Sequence, residues 1–117
     1  MQGFVFGATA GEQMFNSSGE VVIKVDPTRG PNDLCFGTQL VPPGAGIPHH
    51  VHAAWDEVIY VLGGSGIAAL NDERMPIEKG ATIFIPKGIW HGFEKPDRAL
   101  FILWNGQLAG RNFARDF

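Results

Sequence analysis

The chain has a single cysteine, Cys35, so no disulfide can form within it, and no basic residue near Cys35 in sequence would activate it as a nucleophile. It reads as a small buried hydrophobe. Charge is also scarce. Charged residues make up 18% of the chain, the net charge is −3, and there is no run of like charges, which argues against a nucleic-acid groove or an anionic membrane surface as partner. No apolar run is long enough for a membrane span or for a signal-peptide core behind a basic start, and a cytoplasmic home is the expectation. Helical periodicity is missing as well. What remains is a hydrophobic fraction of 44% in 117 residues, enough for one soluble domain over 1–117 with a core of its own.

The stretch Gly44 to Gly64 holds an unusual concentration of chemistry: three histidines and two carboxylates beside an apolar run. Imidazole nitrogens and a carboxylate oxygen suit intermediate divalent metals. On an extended strand His50 and His52 share a face, and Val51 points away from it. Glu57 opens the β-branched run Val58 to Leu62, with Ala53 to Asp56 as the connection. An antiparallel return is expected to set Glu57 opposite the histidine pair. The fourth ligand is expected from His91, the one histidine outside this stretch. Parity turns His49 to the rim and makes Asp56 a solvated loop carboxylate.

These segments resemble the cupin superfamily. Its first motif, G-x5-H-x-H-x3,4-E-x6-G, is met by Gly44, His50, His52, Glu57 and Gly64 over 44–64. The second, G-x5-P-x-G-x2-H-x3-N, over 80–95, is met by Gly80, Pro86, Gly88 and His91, with Lys95 where the family has Asn. The resemblance implies a jelly-roll β-barrel and one divalent transition metal per chain held by His50, His52, Glu57 and His91. Fe, Mn or Ni is favoured and Zn is compatible. It also implies a homodimer joined sheet to sheet, with Gly3 to Phe6 and Glu20 to Val25 covering the partner's edge.

Along the chain, Gly3 to Phe6 reads as an edge strand and Gly7 to Gly19 as loop. Strands are expected at Glu20 to Val25, Leu34 to Val41, Ile67 to Leu70, Arg74 to Ile77, Ala81 to Ile85 and Leu100 to Trp104. In the second of these, Leu34, Phe36, Thr38 and Leu40 share one face and Cys35, Gly37 and Gln39 the other. Asp26 to Asn32 is a turn-rich connector, Asn71 and Asp72 close a hairpin, and 107–117 is a tail of unassigned structure. Nine or ten short strands with Gly or Pro at nearly every junction describe an all-β barrel or double-sheet jelly roll.

Four protein ligands on a six-coordinate ion leave open positions, which separates a catalytic site from a closed structural one. The candidate pocket residues are Gln39, Trp55, Tyr60 and Phe93, with Trp90 and Trp104 as core or rim aromatics. From Gly44 to Gly66 there is no Lys or Arg, so a neutral or weakly polar small organic molecule fits better than a di-acid or a sugar phosphate. Two functions follow. The first is a metal-dependent oxygenase or lyase/isomerase; the second is a non-catalytic sensor or binding module in which the ion anchors a small molecule.

Overall fold

Alternation of buried and exposed residues shapes the strands, as over 34–41 and 57–61, and it places the core between two antiparallel sheets. The computed structural model describes residues 3–16, 18–26, 34–53, 55–94, 96 and 98–107. The expected connector beyond Asp26 and the tail beyond Gln107 lie outside the described residues. Ten strands are present: β1 (Glu12–Asn16), β2 (Gly19–Val25), β3 (Leu34–Val41), β4 (Ile47–His50), β5 (Glu57–Gly63), β6 (Ser65–Leu70), β7 (Glu73–Glu78), β8 (Thr82–Ile85), β9 (His91–Phe93) and β10 (Leu100–Gln107). No helix occurs among the described residues.

One sheet runs β1-β2-β3-β10-β5-β8 and the other β4-β9-β6-β7, every pairing antiparallel. Two packed antiparallel sheets with strands that cross between them make a jelly roll. In β3 the inward residues are Cys35, Gly37, Gln39 and Val41, as alternation predicts, and in β5 they are Glu57, Ile59 and Val61. The fully buried Ile23, Ile85, Leu100, Ile102 and Trp104 anchor the six-stranded side, and Ile47, Ala68, Ile77 and Phe93 answer from the other. Each such Ile or Leu side chain contributes roughly 1.5–3 kcal/mol by leaving water.

Two expectations at the N-terminus are corrected. Gly3 to Phe6 forms no strand, and Phe4, Val5 and Phe6 are exposed. The strand lies instead in the supposed loop, where β1 pairs with β2 from Glu12↔Ile23 to Asn16↔Gly19. As an edge strand of mostly exposed residues, β1 carries little of the apolar alternation by which strands are read.

The ends of the two sequence motifs meet here. Gly80 N donates to Val61 O at 2.9 Å and Lys79 N to Gly64 O at 3.1 Å. Gly64 has φ of 80°, and a Cβ there would run into the Ala99 carbonyl, so both conformation and space require glycine.

Candidate metal centre

His50 ends β4 and His91 begins β9, and the two are direct cross-strand partners in the four-stranded sheet. Their ring centroids lie 4.2 Å apart. His52 sits just past the end of β4, its centroid 5.0 Å from that of His50 and 5.2 Å from that of His91. One ring nitrogen from each of the three lies within 4.8 Å of the others. Glu57 comes from the facing sheet, with Oε1 3.2 Å from His91 Nε2 and 3.7 Å from His52 Nε2. His52, Glu57 and His91 are buried and His50 is half-buried.

This alters one expectation. β5 is not the hairpin partner of β4: among the described residues β4 pairs only with β9, whereas β5 lies between β10 and β8 in the other sheet. Glu57 therefore faces the histidines across the interior, because the chain leaves one sheet at His50 and enters the other at Glu57. The side-chain period of a strand tells which face a residue takes, not which sheet its strand joins.

The backbone sets the tautomers. His50 Nδ1 lies 2.8 Å from Pro48 O and His91 Nδ1 2.9 Å from Ile89 O. A carbonyl only accepts, so each Nδ1–H donates and each neutral ring keeps its lone pair on Nε2. Burial, chiefly, lowers the His50 pKa to about 4. The Pro48 carbonyl opposes that shift, and the neighbouring His91 and His49 add to it. His52 falls to about 3, again through burial first and then His50 and His91. Both are neutral at physiological pH, the form in which imidazole binds a metal.

Burial pushes the Glu57 carboxyl upward, and the His91 hydrogen bond and charge oppose that only in part. A doubly protonated His91 donates from Nε2 to Glu57 Oε1 at 3.2 Å; when the ring holds its proton on Nδ1 alone, the Nε2 lone pair meets that carboxylate oxygen instead. Two acceptors at that distance repel unless a proton or a cation lies between them. Three neutral imidazoles and one carboxylate are also the donor set that suits a divalent transition metal. The residues present thus fit such an ion.

The cavity at this point is lined by Gln39, Ile47, His50, Glu57, Ile59, His91, Phe93, Ile102 and Trp104. Its free room is about 10 Å³, the scale of one water molecule or ion. Gln39 Nε2 donates to Ser18 O at 3.2 Å, which anchors that amide inside the core. Two larger grooves, of about 510 and 500 Å³, are lined by none of the four clustered residues.

The other candidates fall in different places. Phe93 lines the cavity beside Gln39. Trp55 is buried and stacks on His52, centroids 5.0 Å apart and planes 27° from parallel. Tyr60 is a correction: it alternates with inward Ile59 and Val61, so it stands on the outer face, 43% exposed, away from the site. His49 is exposed, as parity predicts, and Trp90 is exposed too. Asp56 is more than a solvated carboxylate, since its Oδ1 accepts a hydrogen bond from Lys87 N at 2.9 Å. Ile59 was missed as a lining residue although its parity with Glu57 signals it; Ile47 and Ile102 carry no such signal.

Residues 37–104 match the model of the cupin domain, and the chain belongs to that family. It is 31% identical over 96 residues to the protein SchB of Streptomyces halstedii, covering 80% of this chain and 70% of that protein. Another curated relative is matched over 44% of its own length. Among solved structures, KdgF from a Halomonas species superposes with a TM-score of 0.81 at 18% identity, over 97% of this chain and 98% of that one. The polyketide cyclase RemF of Streptomyces resistomycificus superposes with a TM-score of 0.76 at 26% identity, over 92% of this chain and 80% of that one.

Proposed function

We propose that this chain is a one-domain, cytoplasmic metal-dependent enzyme of the lyase/isomerase kind, acting on a small neutral organic molecule with two neighbouring oxygen donors. The carrying observation is the convergence of the His50, His52 and His91 ring nitrogens on the Glu57 carboxylate in an interior whose lining includes no lysine or arginine. A bound divalent ion would supply Lewis acidity toward a carbonyl or enol oxygen. Of the chain's own groups, the three imidazoles would hold the ion, and Glu57 would add the negative charge that tempers it. Phe93, Ile47, Ile59 and Ile102 exclude water, and Gln39 is fixed by Ser18 as a neutral polar group on the cavity wall. The likeness to a polyketide cyclase over most of the chain supports this reaction class.

A second reading is a binding module in which the ion anchors a ligand without turnover. The cavity lining favours it, since beyond the clustered His50, Glu57 and His91 it holds no further acid or base to move a proton. The experiment is to purify the protein without chelator, measure its metal, load it separately with Fe(II), Mn(II), Ni(II) and Zn(II), and assay small diketones, phenols and thiols with and without oxygen. Turnover of a dicarbonyl that proceeds anaerobically supports the proposal. Strict oxygen dependence makes the protein an oxygenase, and stoichiometric binding without turnover makes it a binding module.

A further inference from the structure

The segment that carries the chain from His52 to Glu57 crosses between the two sheets, and its described residues lie outside both ladders. One bend holds it from outside. The bend, residues 86–89, joins β8 to β9 and is closed by Ile89 N donating to Pro86 O at 3.2 Å. From this bend the Gly88 amide donates to the His52 carbonyl at 2.8 Å, and the Lys87 amide donates to Asp56 Oδ1 at 2.9 Å. Its Ile89 carbonyl accepts the Nδ1–H of His91 at 2.9 Å. Four consecutive residues thus touch the backbone of one clustered histidine, the ring of another, and the residue just before Glu57.

We propose that Asp56 is a positioning residue for the metal centre. Its Oδ1 ties the crossing segment to the 86–89 bend, so that Glu57 from one sheet keeps its distance to His52 and His91 from the other. Asp56 alternates with inward Glu57 and does not line the cavity, so it acts through its neighbours and not as a ligand. Of the three hydrogen bonds just named from the bend to these neighbours, this is the one made to a carboxylate side chain, and so the one a substitution can remove without altering a histidine. The proposal rests on the metal reading of the centre.

The test compares the full chain with Asp56→Ala, which removes the acceptor, and Asp56→Asn, which keeps an oxygen at Oδ1 without the charge. Three measurements are made: amide exchange at Lys87 and histidine ring signals by NMR in the metal-free protein, and Co(II) affinity with its visible spectrum. Asp56→Ala is expected to speed exchange at Lys87, move the His52 and His91 ring signals, and weaken Co(II) binding by roughly 10–100-fold with an altered spectrum. Asp56→Asn should restore all three toward wild type. If Asp56→Ala does not fold, Asp56→Glu, which keeps the charge and displaces the oxygens, takes its place with the same expected losses. Unchanged ring signals and affinity in the Ala or Glu variant overturn the proposal, and so does an Asn variant as impaired as Ala. A wild-type chain that takes up no Co(II) defeats the metal reading instead, and the ring signals of the metal-free variants then decide the role of Asp56.

Discussion

His50 and His91 are cross-strand partners, β4 against β9, with ring centroids 4.2 Å apart, while Glu57 reaches them from the opposite sheet. An ion held by all of them would pin the two sheets together at one point. Because the unfolded chain lacks this convergence, binding belongs to the folded state and adds to its stability.

The first expected outcome is therefore uptake of about one divalent ion per chain, with the unfolding midpoint rising as metal is added. At a free metal concentration 100 times Kd the gain is about 2.7 kcal/mol. The double change His50→Ala with His52→Ala should abolish both effects. Elemental analysis and thermal unfolding check this, and stoichiometric metal in the double variant would defeat the assignment.

The histidines also give the metal-free protein a pH dependence. In the fold His50 and His52 stay neutral down to about 4 and about 3, while in the unfolded chain they titrate near 6.5. Below that value the unfolded state binds more protons, so their contribution is intact above 6.5 and is lost as pH falls toward 4. Glu57 runs the other way. Its carboxyl is raised above 4.5, so the native state keeps a proton the unfolded chain releases, and stability from this group is lost as pH rises through the raised value. Two groups against one predict a net fall toward acid. Urea unfolding from about pH 7 to about pH 4 should show it, and His50→Gln with His52→Gln should flatten it. An equally steep fall in that variant would assign the effect to other groups.

Much of this was legible in the sequence, and the gaps have physical causes. The strand bounds of β3 and its two faces followed from alternation, as did the outward turn of His49 beside His50. The outward turn of Tyr60 was legible as well, since Glu57 facing inward forces Tyr60 outward. The sheet that Glu57 joins was not legible, because residues 51–56 can return or cross without changing period. The bond from Lys87 to Asp56 was hidden for a similar reason: it joins residues distant in sequence through a backbone amide, which leaves no mark on residue type.

The outer face of the six-stranded sheet leads to an expectation about assembly. Leu40 pairs with Phe101 and Val58 with Phe84, and all four are exposed, as is Tyr60. So much apolar surface on one face favours association, and a second copy is the occupant we expect, giving a homodimer of twice the 12.7 kDa chain mass. Phe101→Glu should shift it toward monomer. Light scattering that gives 12.7 kDa for the wild type at tens of micromolar would rule the dimer out.

Glu57 offers the sharpest separation of folding from function. Its carboxylate is buried among apolar strands that hold the barrel without it, and burial disfavours its ionised form. Glu57→Gln keeps the shape and removes the charge. The metal-free variant should fold, and at a pH above the raised Glu57 pKa it should be at least as stable as wild type, because the cost of an ionised buried carboxylate is gone. Metal binding should weaken, since one anionic donor is lost. For any substrate turned over by the wild type, the rate should drop by about 10²–10³-fold, the scale seen when one charge-stabilising group is removed from a reacting site. A binding module would respond differently, with ligand affinity tracking metal occupancy and no rate to lose. Stability curves of the metal-free proteins, metal titration and turnover measured on the same pair of proteins separate these cases. A Gln variant with undiminished metal affinity would show that Glu57 is not a ligand, leaving the three histidines to hold the ion alone.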